Sequence, residues 1–337
     1  MRAWWVGEPG PIASHPLVLG DRADPRPGPG EVLVRVQSCG VCRTDLHVAE
    51  GDLAPHQHNV VPGHEVVGIV HEAGPDCHLF KVGDRVGVPW LGASCGTCRF
   101  CRRGSENLCL APTFTGWDRD GGYAEMVTAA ESFVYRIPAT FTDEQAAPLL
   151  CSGIIGHRAL KRAELPANGR LGIYGFGGSA HITAQLAMHQ GADVYVMTRS
   201  AEARALARRL GAIFVGGPHD VPPEPLDSAI LFAPVGDLVP VAMRALDRGG
   251  TLAVAGIHLT DIPPLHYETD LFQERQLRSV TANTRSDGQA FLELAAQIPI
   301  LPTTTAYPFS AANEALRDLA ADRVRGAAVL VMDSSRG

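Results

Sequence analysis

The chain has 337 residues, 45% hydrophobic and 19% charged, and a formal charge of -7, which excludes a disordered or fibrous protein. The acidic balance offers no broad attraction for nucleic acid or anionic lipid, so small molecules are the expected partners. No apolar run approaches the roughly 20 residues that span a bilayer, and residues 1–6 lack a signal-peptide pattern, so no membrane association and a cytoplasmic location are expected.

The length predicts two domains, and the residue pattern changes along the chain accordingly. The first ~150 residues alternate short β-branched runs, such as 31–36 and 66–70, with glycine and proline, which predicts a mainly β domain. From Leu171 the pattern predicts strands at 171–174, 194–198, 229–232 and 251–255, and helices at 180–190, 201–210 and 238–246. Gly249-Gly250 is expected to separate the last helix from the last strand. This alternation predicts a parallel sheet with helices on both faces.

Two further helices and a strand at 327–331 are predicted near the end of the chain. We expect that strand to return to the first domain.

Four of the eight cysteines lie in one short loop with the pattern Cys95-x2-Cys98-x2-Cys101-x7-Cys109. Four thiolates at these spacings wrap one tetrahedral zinc ion and leave no open position, so the predicted site is structural. A four-iron cluster also uses four cysteines, but its usual spacings differ. Four unconnected buried thiols are the alternative without a metal, but these lie in a polar, glycine-rich loop.

A second group of metal-binding residue types is spread along the chain at Cys42, His64 and Cys151. One histidine and two cysteines form a three-ligand zinc site whose fourth position is free for water or substrate. Taken singly, each residue has an ordinary explanation, because an isolated cysteine is usually a buried small hydrophobe and an isolated histidine a hydrogen-bonding group.

A glycine-rich turn follows the predicted strand 171–174 and opens the next helix. Glycine at these positions permits a tight turn and close backbone approach, and the helix N-terminus attracts a pyrophosphate. The pattern therefore predicts a dinucleotide site, the alternative being a glycine-rich connection without a ligand. The residues assigned to it are Gly175, Gly177, Gly178 and Ala180.

The end of the second strand of this unit indicates which dinucleotide binds. An NAD enzyme usually has an acid there, but this chain has Thr198-Arg199-Ser200. Thr198 and Ser200 have hydroxyl donors and Arg199 a cation for a 2'-phosphate, so NADP(H) is favoured and NAD(H) remains the alternative. Arg199 stacked on the adenine or facing solvent is the competing interpretation. Arg204, one turn further, is a second candidate phosphate contact.

Four segments together resemble the zinc-containing medium-chain alcohol dehydrogenases, in matching order. They are residues 40–47, 63–68 with Gly74 following, the four-cysteine loop, and residues 150–153. The resemblance covers essentially the whole chain. It implies an α/β fold with a mainly β GroES-like catalytic domain, residues 1–152 and 285–337, and a Rossmann dinucleotide-binding domain with a doubly wound parallel sheet, residues 153–284.

The resemblance implies that Cys42, His64 and Cys151 bind the catalytic zinc, since two cysteines and one histidine are the ligand set of such enzymes. Glu65 is placed beside this metal as a temporary ligand. With the four-cysteine loop, the chain is expected to bind two zinc ions. Asp45 is placed as the acceptor for the N–H of His64, which fixes the tautomer of that ligand.

The same resemblance assigns a proton relay to Thr44 and His47, which connects the substrate hydroxyl to the surface through the cofactor ribose. Alternatively, Thr44 caps a helix that starts at Asp45. Arg43 is placed on the cofactor pyrophosphate. One departure concerns Gly326-Ala327, where relatives often have Gly-Arg. One pyrophosphate cation is therefore expected to be missing, with Arg325 only a weak replacement.

The implied activity is hydride transfer between NADP(H) or NAD(H) and a small alcohol or aldehyde, with zinc polarising the reacting oxygen. Trp90 resembles the aromatic residue that narrows the pocket in relatives, and Phe114 and Trp117 are further candidates for a pocket that favours slim primary substrates. Ordinary core packing is the alternative for all three. A homo-oligomer, dimer or tetramer, is expected.

Two other classes of function are alternatives for this sequence. A zinc-free quinone or enone reductase has this architecture but lacks the trio Cys42, His64 and Cys151. A non-catalytic zinc and nucleotide-binding protein would keep the fold without the relay, and the presence of both Thr44 and His47 argues against it.

Overall fold

The structure, a computed structural model, describes residues 1–54 and 56–333. The strands are β1 (Arg2–Val6), β2 (Leu17–Asp21), β3 (Glu31–Val41), β4 (Val66–Ala73), β5 (Arg85–Val88), β6 (Leu91–Ala93), β7 (Thr113–Phe114), β8 (Met126–Ala130), β9 (Tyr135–Arg136), β10 (Arg170–Tyr174), β11 (Asp193–Met197), β12 (Phe214–Gly216), β13 (Leu226–Leu231), β14 (Leu246–Val254), β15 (Gln276–Ser279), β16 (Thr304–Pro308) and β17 (Ala327–Val331). The α-helices are α1 (Arg43–Glu50), α2 (Arg99–Arg102), α3 (Asp143–Ala146), α4 (Ser152–Ala163), α5 (Gly178–His189), α6 (Ala201–Leu210), α7 (Leu238–Ala245), α8 (Arg285–Gln297) and α9 (Ala312–Ala320). Within these described ranges, no helix is both long and apolar enough to cross a membrane.

The chain divides into two compact units. The first comprises Met1–Cys151, Ala282–Ala296 and Pro302–Gly337, and the second comprises Ser152–Thr281 and Gln297–Leu301. Each unit is built around its own sheet.

The first unit is organised by a sheet of strand order β16-β17-β3-β4-β5-β9, with β8 also paired to β3. The long strand β3 lies in the middle, and Val32, Val34 and Val36 are buried on one face while Leu33 is buried on the other, so both faces of the strand are covered there. Strand β17 pairs antiparallel with β3, which confirms the predicted return of the C-terminal strand. Because β3 ends at Val41, it delivers the chain directly to Cys42.

The second unit contains six parallel strands in the order β12-β11-β10-β13-β14-β15. Counted along the chain from β10, this order is 3-2-1-4-5-6, that of a doubly wound dinucleotide-binding sheet, as predicted. Leu171, Ile173 and Tyr174 of β10 are completely buried, which fits a central strand covered on both faces.

The sequence prediction was wrong at Gly249-Gly250, which does not separate helix from strand. Both glycines lie inside β14, which begins at Leu246. The pairing with β13 jumps from Leu226 opposite Leu246 to Ser228 opposite Thr251, so the extra residues form a bulge, and Gly249 has a φ of +72° there.

Candidate functional site

Cys42 stands at the junction between β3 and α1, where it is the N-cap residue of the helix in an extended conformation. Its backbone N–H donates to Asp45 Oδ2 at 2.9 Å, so the acid in the first helical turn satisfies a group that the helix leaves unpaired. The helix therefore begins at Arg43. The alternative in which Thr44 caps a helix starting at Asp45 was wrong, because Thr44 already lies within the first turn.

Asp45 connects three parts of the chain around this junction, and it is 1% exposed. Its Oδ1 accepts hydrogen bonds from His64 Nδ1 at 2.9 Å and from the Gly63 N–H at 3.0 Å, and its Oδ2 also accepts from the Tyr123 hydroxyl at 3.3 Å. The bond to the Asp45 carboxylate places a proton on Nδ1, so the neutral form of the imidazole has its lone pair on Nε2. This is the arrangement predicted for a metal-ligating histidine.

Two buried atoms next to this network, His64 Nε2 and Glu65 Oε1, have no hydrogen-bond partner among the residues that the structure describes. An unsatisfied buried acceptor costs about 1–3 kcal/mol, so such atoms usually bind something. The candidate ligand atoms of Cys42, His64, Glu65 and Cys151 all lie within 4.8 Å of one another. Thiol, imidazole and carboxylate groups are the donors that zinc prefers, so these four residues fit a zinc ion.

The four groups perturb one another strongly. A hydrogen bond from the Cys151 thiol outweighs burial and lowers the pKa of Cys42 well below its ordinary value, and His64 adds to this effect. That same bond, together with burial, raises the pKa of Cys151, and burial raises the pKa of Glu65. Burial opposes the charged form of His64, but Asp45 and Cys42 outweigh it and raise the pKa of this imidazole. These shifts leave Cys42 as the thiolate of the group and keep Cys151 and Glu65 protonated, and a bound cation would favour the ionised form of all three.

Thr44 and His47 lie on the same helix, three residues apart, and therefore share one face. The Thr44 hydroxyl oxygen is 3.8 Å from Cys42 Sγ. The His47 imidazole pairs through Nδ1 with Asp52 at 2.8 Å. The relay that connects them stays a prediction.

An aromatic cluster adjoins His64. The Trp90 ring meets the imidazole edge to face at 4.9 Å and stacks on Phe114 at 4.7 Å and on Trp117 at 6.0 Å. The three aromatic residues selected from the sequence therefore lie together beside the candidate metal ligands. Sequence reasoning missed His56, which stacks on Trp117 at 4.1 Å, because no local pattern connects positions 61 apart.

The ligand atoms of Cys95, Cys98, Cys101 and Cys109 likewise lie within 4.8 Å of one another. Backbone N–H groups donate to the sulfurs, including Cys98 N–H to Cys95 Sγ at 3.4 Å and Cys101 N–H to Cys98 Sγ at 3.5 Å. Such bonds from Cys98 and Thr97 lower the pKa of Cys95 to about 6. The pKa of Cys98 is also lowered by backbone N–H donors, whereas burial raises the pKa of Cys101 to about 11. Four sulfurs this close together, two of them favoured as thiolates, fit a second metal ion.

Glu106 lies within this loop, and sequence reasoning did not single it out. Its carboxylate is buried and accepts from the Arg285 guanidinium at 2.8 to 3.0 Å and from the Arg285 backbone N–H at 2.6 Å. The pair ties the cysteine loop to the start of α8. This role depends on Arg285, which is 179 positions away in the sequence, so no local pattern indicates it.

The glycine-rich turn of the second unit has the conformation that its glycines allow. Gly175 has a φ of +85°, and a Cβ there would lie 2.8 Å from the Ala233 nitrogen. Gly177 is the N-cap of α5, and a Cβ there would have no heavy atom within 4 Å, so the turn is open to a ligand. The helix begins at Gly178, two residues before the predicted start, and Ala180 is buried in it.

At the end of β11, Thr198 is buried and Ser200 is the N-cap of α6. The Ser200 hydroxyl accepts from the Ala203 N–H at 3.2 Å and donates to Glu202 Oε2 at 2.8 Å. Arg204 Nη2 donates to the Arg199 carbonyl at 3.4 Å. The predicted hydroxyl donor thus already has an acidic partner within the chain, which sequence reasoning did not foresee.

Arg43 and Arg325 are the residues of the first unit that the sequence suggested for the cofactor pyrophosphate, and both have hydrogen-bond partners within the chain. The Arg43 guanidinium pairs with Asp322 at 2.6 Å and donates to the Leu319 carbonyl at 3.4 Å. Ala327 begins β17, and the Arg325 carbonyl accepts from the Thr305 hydroxyl at 3.0 Å. A pyrophosphate role for Arg43 stays a prediction.

The chain matches two family models, the alcohol dehydrogenase GroES-like domain over residues 28–139 and the zinc-binding dehydrogenase over residues 178–297. It is 58% identical to the probable alcohol dehydrogenase AdhA of Mycobacterium tuberculosis, over 98% of this chain and 97% of that protein. Among solved structures, a cinnamyl alcohol dehydrogenase of Sorghum bicolor superposes with a TM-score of 0.89 at 27% identity, covering 100% of this chain and 99% of that one. The cobalt- and zinc-bound thermostable alcohol dehydrogenase of Pyrobaculum aerophilum has a TM-score of 0.87 at 27% identity, with 98% and 99% covered. The resemblance predicted from the sequence is confirmed: the chain belongs to the zinc-binding, medium-chain alcohol dehydrogenase family and is an alcohol dehydrogenase or reductase.

Proposed function

We propose that this chain interconverts a small alcohol and its aldehyde with NADP(H), at a zinc ion held by Cys42, His64 and Cys151 with Glu65 as a further ligand. The observation that carries the proposal is the pair of buried atoms without partners, His64 Nε2 and Glu65 Oε1, beside two cysteine sulfurs. Zinc bound there supplies a Lewis acid for an alcohol or aldehyde oxygen.

The residues around the ligands have separate tasks in this proposal. Asp45 holds the His64 proton on Nδ1, so that Nε2 remains a donor atom. Thr44 Oγ1 takes the proton of the substrate hydroxyl and passes it towards His47, whose imidazole exchanges protons near neutral pH. The apolar part of the substrate lies against Trp90 and its stacked neighbours, whose bulk favours slim primary alcohols.

NADP(H) is proposed as the preferred cofactor and NAD(H) as the alternative. The open turn at Gly177 supports a pyrophosphate at the N-terminus of α5, and Arg199 offers a cation in place of the acid usual in NAD enzymes. The four-cysteine loop is proposed to hold a second, structural zinc. A cytoplasmic homo-oligomer with a catalytic domain of residues 1–152 and 285–337 and a dinucleotide-binding domain of residues 153–284 completes the proposal.

Metal analysis combined with activity tests this function. The purified chain is expected to contain two zinc ions and to turn over members of an alcohol and aldehyde panel faster with NADP(H) than with NAD(H). Cys151→Ser is expected to lose turnover and one zinc while keeping its circular dichroism spectrum. Cys77→Ser is the control, since Cys77 donates to the Glu31 carbonyl outside both clusters.

The outcome of this experiment also decides between the alternatives. Unchanged activity and zinc content in Cys151→Ser would remove that residue from the site. Zinc and nucleotide binding without turnover across the panel would instead support a non-catalytic protein.

A further inference from the structure

We propose that Glu202 is a specificity-determining residue of the cofactor site. Its carboxylate repels a 2'-phosphate and thereby reduces the preference for NADP(H) over NAD(H). The inference rests on the proposed function, because it concerns the same end of β11 that is assigned to the adenosine ribose.

The hydroxyl proton of Ser200 is already used within the chain. A hydroxyl has one proton to donate, and Ser200 donates it to Glu202 Oε2 at 2.8 Å while its oxygen accepts the Ala203 N–H at 3.2 Å. At neutral pH a phosphate oxygen is a hydrogen-bond acceptor and needs donors. Ser200 therefore contributes to a 2'-phosphate only by giving up its bond to Glu202.

The charged side chains of this turn include an anion that faces the proposed phosphate together with the cations. Arg199 and Arg204 belong to the same turn, since the Arg204 side chain donates to the Arg199 carbonyl at 3.4 Å. Glu202 lies between them in the exposed first turn of α6, so the segment carries two cations and one anion. Hydrogen bonds from its own backbone N–H and from Ser200 lower the pKa of Glu202, so the side chain is ionised at neutral pH. A dianionic phosphate meets this negative charge, whereas the neutral 2'-hydroxyl of NAD is a donor that a carboxylate accepts.

A purely structural role for Glu202 makes predictions that differ from those of a role in cofactor specificity. An acid in the first turn of a helix also stabilises the helix through its dipole. That role predicts lower stability of the Glu202→Gln variant and equal binding of ligands with and without a 2'-phosphate. Only a role in specificity changes the ratio between the two ligands.

The test measures binding of two adenosine ligands to the full chain by isothermal titration calorimetry. Adenosine 2',5'-bisphosphate carries the 2'-phosphate and adenosine 5'-monophosphate lacks it, and neither needs turnover. Glu202→Gln is expected to bind the bisphosphate about three- to fivefold more tightly than the unmodified chain, and the monophosphate no more tightly, which is the size of an exposed charge effect. The gain should shrink as salt is added.

Two further variants control the experiment. Glu293→Gln removes the same charge from another exposed helical glutamate, which accepts from Gln289, and should change neither affinity. Arg199→Ala should weaken binding of the bisphosphate alone.

The outcomes separate the inference from the function on which it rests. If Arg199→Ala weakens binding of the bisphosphate and Glu202→Gln leaves the ratio of the two affinities unchanged, the role of Glu202 is overturned and the cofactor assignment stands. If Arg199→Ala also has no effect, no 2'-phosphate binds at this segment, and the NADP(H) assignment falls together with the role of Glu202.

Discussion

Replacing Asp45 by asparagine tests the network that positions the candidate metal ligands. Each carboxylate oxygen accepts two hydrogen bonds, Oδ1 from Gly63 N–H and His64 Nδ1, and Oδ2 from Cys42 N–H and the Tyr123 hydroxyl. Asparagine keeps only one oxygen. In the less costly orientation this oxygen remains with His64, and the amide NH2 faces the Cys42 N–H, which loses its acceptor.

The expected loss follows from that one unsatisfied donor. A buried N–H without an acceptor costs about 1–3 kcal/mol, so we expect Asp45→Asn to lower the free energy of unfolding by about 2 kcal/mol. Loss of the carboxylate behind a ligating histidine typically costs about 10–100-fold in metal affinity or activity, and we expect the zinc affinity to fall within that range. Urea unfolding measures the first effect and competition with a chelator the second.

Asp193→Asn serves as the control, because Asp193 is exposed at the start of β11 and lies in the other unit. Asp193→Asn should change neither the free energy of unfolding nor the zinc affinity. A variant at Asp45 with undiminished zinc affinity would refute the argument that the charge of this carboxylate supports His64 as a metal ligand, even if its stability fell.

Three further predictions concern stability. Glu106→Gln should lower the free energy of unfolding by about 1–3 kcal/mol, because the buried ionic contact with Arg285 loses its charge; an unchanged urea midpoint would contradict this. Burial alone would raise the pKa of Asp270, but hydrogen bonds from Arg244 and its other donors outweigh it and lower the pKa from 3.8 to about 2. Because the folded value is the lower one, this stabilisation is present above pH 3.8 and lost as the pH falls towards 2. The melting temperatures of the unmodified chain and of Asp270→Asn should therefore converge as the pH falls towards 2. A difference in melting temperature that stays constant with pH would contradict this prediction. Cys98→Ser should lower the melting temperature without a specific catalytic defect, and a normal melting curve would exclude a stabilising metal at that loop.

Much of the second unit could be predicted because its signals are local. The helix at 201–210 was predicted with the bounds that the structure shows, since Ser200 before it and Gly211 after it mark both ends. Gly249-Gly250 misled the prediction for the opposite reason. Glycines usually interrupt structure, but here the pairing of β14 with β13 continues beyond them, and that pairing depends on a distant segment.

The residues of the candidate site also differ in how far a local pattern could predict them. The four-cysteine loop is readable from spacing alone, whereas Cys42, His64 and Cys151 come together only through the fold and were selected through the family resemblance. Asp322 as the partner of Arg43 could not be inferred, because it depends on a side-chain contact between residues 279 positions apart.

The Asp45 network also explains why a cysteine suits the first ligand position. Cys42 is an N-cap residue, and the positive end of a helix favours a thiolate over a thiol. The acid that pairs with the Cys42 backbone also fixes the proton of His64, so one side chain aligns two candidate ligands that are 22 positions apart in sequence. The arrangement of these ligands thus follows from hydrogen bonds within the chain. Substitutions at Asp45 should therefore affect both ligands together, whereas a substitution at Cys151 removes one ligand and leaves this network intact.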